Sequence, residues 1–131
     1  MNVLHIASRQ GWLAAAGLGQ YSSPSLASEC FIHCSTVKQV LPVAAKFYSG
    51  QTGLVLLVID PARLTSVLRW EQPSDGKPPP GVAEGEEFPH IYGPLNLDAV
   101  VQVLDFNPDA NGHFSLPASL FAGDWDPGTK A

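Results

Sequence analysis

Six consecutive apolar residues, Leu54-Val55-Leu56-Leu57-Val58-Ile59, constrain this chain more than any other stretch. A strand with one wet face alternates apolar and polar side chains. This one is apolar on both faces, which marks it as a central strand covered on two sides. Gly53 leads into it and Asp60-Pro61 ends it. Twelve prolines and twelve glycines are spread through 131 residues, so the elements around that strand are expected to be short and rich in turns. Hydrophobic residues make up 45% of the chain and charged residues 15%, enough for a packed core within one domain over residues 1–131.

The other elements follow from periodicity and capping. Asn2 to Ala7 alternates as a first strand, with Leu4 and Ile6 on one face and Val3, His5 and Ala7 on the other. Ser8 caps an expected helix over Arg9 to Ala16, which Gly17 and Gly19 stop. Pro24 to Ser28 reads as one helical turn capped by Ser23, and Phe31 to Ser35 as a short strand. Thr36 and Gln39 have capping-box spacing before a helix expected over Val37 to Tyr48, with a kink or a restart at Pro42. After a short strand at Leu68 to Glu71, residues 72–87 form a long loop, either mobile or covering a site. Pro89 and Pro94 assign Phe88 to Leu95 to an edge strand. Val100 to Phe106 is a final strand. Residues 107–131 carry Phe114, Leu116, Leu120, Phe121 and Trp125 to pack back on the body, with the last residues fraying. Strands and helices do not alternate strictly, so the class is α+β with a mixed or mostly antiparallel core.

Charge narrows the partners. A net charge of -5 with 7 Lys plus Arg leaves no broad basic surface for long RNA or DNA, although a few arginines suffice for one small phosphate. Met1 to Ala7 lacks a basic start and no apolar run approaches the ~20 residues that span a bilayer, so no membrane contact and a cytoplasmic location are expected. Cys30 and Cys34 would lie roughly 13 Å apart along a strand, too far for a mutual bridge.

Strand alternation also sorts the reactive residues. Cys30, His33 and Cys34 have the composition of a zinc half-site, but Phe31, His33 and Ser35 share one face of a strand while Cys30, Ile32 and Cys34 share the other. The cysteines therefore read as small core residues and no metal site is assigned to them. Arg69 shares a face with Glu71, and Phe88 with His90 and Tyr92. If the polar faces converge, His5, His33, Glu71, His90 and Tyr92 line a single cleft where a carboxylate can stabilise developing positive charge. If they do not, each is a separate hydrogen-bonded residue.

The stretches Leu4-His5-Ile6, Gly17 through Tyr21, Ser25-Leu26, Phe31-Ile32-His33-Cys34-Ser35, Gln39-Val40, Leu54 through Asp60, Arg69-Trp70-Glu71 and Phe88 through Leu95 together resemble a family of small bacterial proteins known as domain of unknown function 952. That family looks like a distant relative of the ADP-ribosyltransferase fold, which grips NAD between two small sheets. Its nearest likeness there is to the NAD-dependent RNA 2'-phosphotransferases, through His5-Ile6-Ala7-Ser8 and His33-Cys34-Ser35. The resemblance implies two small mixed or antiparallel sheets forming a cleft with flanking helices. It implies NAD as the bound nucleotide, contacted by His5 and His33 with Ser8 and Ser35 as supporting hydrogen bonders. Beside that resemblance, a convergent cleft makes His33, Glu71 and His90 the catalytic candidates and Tyr92 a further ligand contact. Glu71 departs from the pattern of the classical transferases by preceding the His90 strand, and the acidic surface argues against an RNA substrate.

Three expectations result. One is a protein that binds NAD or a related nucleotide and transfers or hydrolyses an ADP-ribosyl or phosphoryl group. Another is a non-catalytic ligand-binding or interaction domain that keeps the cleft. The third is a metal site built from His5, His33 and His90.

Overall fold

The computed structural model describes residues 1–73 and 76–120 and the backbone of 121. It is a mixed α+β fold with three small sheets, all antiparallel among the described residues. The first sheet has the order β1 (Val3–Ser8), β4 (Leu54–Ile59), β8 (Val100–Asp105). As its composition requires, β4 lies in the middle and every one of its residues is buried. A second sheet pairs β2 (Gln20–Tyr21) with β7 (Leu95–Asn96), and a third has the order β3 (Ile32–His33), β6 (Phe88–Tyr92), β5 (Val67–Glu71). The first and third sheets meet through one isolated bridge. Leu4 N–H donates to the Ser35 carbonyl at 2.8 Å, and Ser35 N–H returns the bond to Leu4 at 2.7 Å.

Two cores lie on opposite sides of the first sheet. Val3, Ala7, Val55, Leu57 and Ile59 pack with Ile32, Cys34, Ile91 and Leu95 from the other sheets and with Ala15 of helix α1 (Arg9–Leu18). Leu4, Ile6, Leu54, Leu56 and Val58 face Val40 and Ala44 of helix α3 (Val40–Phe47), together with Phe106 and Leu120. Phe114 stacks on Phe106 at 5.0 Å, so the segment after β8 covers the second core. Phe121's side chain, Trp125 and the expected frayed end lie outside the described residues.

Several boundaries differ from expectation for local reasons. Helix α1 runs through Gly17 to Leu18 and stops only at Gly19, whose φ of 81° is the left-handed conformation that ends helices. Helix α2 (Pro24–Glu29) ends the same way, but on Cys30 at φ 75°. Cys30 is therefore a helix cap with an exposed side chain, not a strand residue beside Cys34. Helix α3 begins at Val40 rather than Val37, because Thr36 to Gln39 form a turn. Pro42 consequently falls in the first helical turn, where a backbone N–H would have no intrahelical acceptor, and the expected kink or restart has no cause.

Strand β6 is central in its sheet, not an edge strand. The sheet accepts Pro89 by ending a neighbour beside it. Cys34 N–H donates to the Pro89 carbonyl at 3.0 Å, Pro89 has no N–H to return, and β3 goes no further than His33.

Candidate functional site

The third sheet has one apolar and one polar face, and register determines which residues share each. His33 lies opposite His90, His90 opposite Arg69, and Phe88 opposite Glu71. Directly paired residues of antiparallel strands point to the same side, so His33, Phe88, His90, Tyr92, Arg69 and Glu71 form one face. Ile32, Ile91 and Leu68 form the other and pack into the first core. Phe31 enters the polar face from just before β3. Its ring stacks on His90 at 4.0 Å and meets His33 edge-on at 4.7 Å.

Two imidazole–carboxylate pairs stand on this face. His90 Nδ1–H donates to Glu71 Oε1 at 2.9 Å, and the Tyr92 hydroxyl donates to the same oxygen at 2.6 Å. These bonds hold the Glu71 carboxyl below its usual range, Tyr92 contributing more than His90. Tyr92 is correspondingly pushed up, chiefly by that bond to Glu71. His90 is only 3% exposed, and its burial lowers its pKa despite the opposing pull of Glu71. With Nδ1 committed to the carboxylate, the basic lone pair of neutral His90 is on Nε2. The second pair joins His33 Nε2 to Glu29 Oε2 at 3.0 Å. Glu29 is the last residue of α2, and the left-handed turn at Cys30 folds the chain back so that positions 29 and 33 meet. The two histidine rings are 5.5 Å apart and nearly perpendicular.

Beside this face lies a cleft of about 400 Å³, within the usual range for small-molecule sites. His33, His90, Glu29 and Ser35 line its polar end. Leu4 and Ile6 of β1, Phe88, and Val43, Phe47 and Tyr48 from α3 and its end supply an apolar wall. Pro73, Lys77 and Pro79 of the long loop line a further side. A buried amide fastens that loop. Gln39, 2% exposed, donates from Nε2 to Glu86 Oε2 at 2.7 Å and to the Glu87 carbonyl at 2.8 Å, while its Oε1 accepts from Thr36 N–H at 3.0 Å. Half of the expected capping box is thus present, and the same side chain anchors the loop.

The expected residues separate into two groups. His33, Glu71, His90 and Tyr92 come together on one face, and Ser35 borders the cleft. His5 does not join them. It stands on the Val3 and Ala7 side of β1, where Nδ1–H donates to the His33 carbonyl at 2.5 Å and Nε2 accepts from the Tyr21 hydroxyl at 2.9 Å. Burial lowers its pKa to about 4 and keeps it neutral. It is the face of β1 carrying Leu4 and Ile6 that lines the cleft. Ser8 is also elsewhere, accepting from Gly11 N–H at 3.0 Å as the cap of α1. With His5 facing away, the three histidines do not meet, and among the described residues no group of three His, Cys, Asp or Glu side chains is placed to hold a metal. Glu29 and Gln39 were not foreseen as site residues. The spacing of four between Glu29 and His33 was visible, but its meaning depended on the turn at Cys30.

Residues 6–103 match the family described as Protein of unknown function (DUF952). The chain belongs to that family. The crystal structure of protein CC0527 from Caulobacter crescentus is 33% identical, has a TM-score of 0.75, and the match covers 88% of this chain and 95% of that one. A double-methionine variant of CC0527 gives the same TM-score at 32% identity. The solution structure of CC0527, also 32% identical, has a TM-score of 0.63 and covers 91% of this chain and 93% of that one. No curated protein matches the chain. Among the described residues of this DUF952 member, no helix is long and apolar enough to cross a membrane.

Proposed function

We propose that this protein binds NAD or a related nucleotide in the cleft, in an ADP-ribosyltransferase-like arrangement of its small sheets, and transfers or hydrolyses the ADP-ribosyl group in the cytoplasm. The observation that carries the proposal is the Glu71 carboxylate, held ionised by Tyr92 and His90, whose rings both meet Phe31. A fixed carboxylate next to aromatic rings suits a planar cationic group such as nicotinamide, and it stabilises positive charge developing on a ribose carbon. The bond from ribose to nicotinamide breaks with its electron pair going to the ring nitrogen. The oxygen of water or of an acceptor hydroxyl bonds to the ribose carbon, and its proton passes to a histidine. His33, partnered by Glu29, and His90, whose Nε2 makes no hydrogen bond among the described residues, are the bases on that face. A phosphoryl group is the alternative cargo for the same residues.

The test is release of nicotinamide from NAD by the purified protein, followed chromatographically. His33→Ala and Glu71→Gln are each expected to slow release by about 10²-fold or more while the thermal transition is retained. Undiminished turnover by both variants would exclude this mechanism. A second reading, a binding domain without turnover, is favoured by the burial of His5 away from the cleft. It requires saturable NAD binding with no nicotinamide released, and turnover at enzyme-like rates would end it.

A further inference from the structure

The chain has three arginines, and two are spent on carboxylates. Arg9 pairs with Asp105, and Arg63 with Asp60 at 3.4 Å. Arg69 differs. Among the described residues no carboxylate lies within ion-pair distance of it and none of its donors makes a hydrogen bond. Its guanidinium carbon instead sits 5.1 Å from the centre of the Tyr92 ring. Leaving an arginine unpaired is unexpected in a chain with 12 acidic residues.

Register places Arg69 directly opposite His90, on the face that carries Glu71, Tyr92 and His33. The Tyr92 hydroxyl is tied to Glu71 at 2.6 Å, so the ring beneath the guanidinium is fixed in orientation. Stacking on an aromatic face holds a guanidinium in place while leaving the N–H groups at its edge available, and those groups match the spacing of phosphate oxygens. Glu71 is close enough to feel the charge of Arg69 without taking its donors.

We infer that Arg69 binds an anionic group of the ligand on the polar face of the third sheet, beside Tyr92, and that this group is the diphosphate of NAD. The inference rests on the reading of the cleft given above. NAD carries a cationic ring at one end and a diphosphate beyond the adjoining ribose. Glu71 and Arg69, two positions apart on one face of β5, offer the opposite charge to each.

Calorimetric titration of NAD into the full chain at low and high salt tests this, with Arg69→Gln and Arg69→Lys beside the unaltered protein. Arg69→Gln is expected to weaken NAD at low salt by about 10- to 100-fold, the size of a lost charge-assisted contact. The difference should shrink as salt screens the exposed pair. Arg69→Lys should recover part of the affinity, because it keeps the charge and loses the planar fork. An Arg69→Gln loss that is the same at every salt concentration, or no loss, overturns the inference and leaves NAD binding by the cleft standing. Failure of the unaltered protein to bind NAD overturns both.

Discussion

The backbone carbonyl of His33 accepts a hydrogen bond from His5 Nδ1–H at 2.5 Å, while the His33 ring stands 5.5 Å from His90 on the side facing the cleft. The two histidines that the family resemblance would pair as ligand contacts therefore act through different atoms. His5 ties β1 to the strand that carries His33, and only the ring of His33 faces the cleft. A neutral, buried His5 is a brace.

That role sets an acid sensitivity. The folded pKa of His5, about 4, lies below the unfolded value of 6.5. In the interval between them the unfolded chain binds a proton that the folded chain does not, so stability falls as pH falls. The contribution is fully present above pH 6.5 and is lost on approach to pH 4, with a ceiling of about 3 kcal/mol. His90, also lowered, works in the same direction. Urea unfolding across this range should give a shallower acid slope for His5→Gln than for the unaltered protein. An identical slope would assign the acid sensitivity to other groups.

Glu71→Gln should release Tyr92. The bond to an ionised Glu71 is the main cause of the raised Tyr92 pKa, so loss of the negative charge brings tyrosinate formation down toward its ordinary range near 10. Ultraviolet titration of the phenolate reads this directly, with Tyr92→Phe identifying the signal. No change on Glu71→Gln would mean that the carboxylate does not hold the hydroxyl in solution.

Cys30→Gly should stabilise the protein. Cys30 is the non-glycine residue at positive φ among the described residues, a conformation that costs a side chain on the order of 1 kcal/mol and glycine almost nothing. Relief of that strain outweighs the extra freedom of glycine in the unfolded chain, for an expected gain of about 0.5 kcal/mol in thermal or denaturant unfolding. A loss of stability would show that the exposed thiol makes a contribution of its own.

Gln39→Ala should loosen the loop without emptying the core. The substitution leaves the Glu86 carboxylate, the Glu87 carbonyl and the Thr36 N–H without the amide that joins them, at a cost of about 2 kcal/mol. Hydrogen exchange should accelerate across residues 76–87 while β4 stays protected. Uniform acceleration across the chain would instead mark Gln39 as a general stabiliser.

Alternation along each strand was legible from composition, and it correctly grouped His33 with Phe31, Glu71 with Arg69, and His90 with Tyr92. What a single sequence does not carry is which of two faces meets the cleft. In β1 both faces are buried, so nothing local distinguished the His5 side from the Leu4 side. Pro89 misled for a related reason. Its missing N–H argued for an edge, but the vacancy falls where β3 ends, and shortening a neighbour is as good a solution as having none. Glu29 needed the backbone turn at Cys30 before its spacing from His33 meant anything, and the role of Gln39 needed a partner 47 residues away.

The single bridge between Leu4 and Ser35 gives the molecule a seam. On one bank stand Leu4 and Ile6, rooted in the fully buried first sheet. On the other stand the imidazoles and carboxylates of the third sheet. Only two backbone bonds stitch the banks together at that point, and both flank the floor of the cleft. The breadth of the cleft is thus set at a suture between two sheets that share one core on their other side. A change of packing at that suture alone would widen or narrow the cleft while leaving the polar face of the third sheet intact.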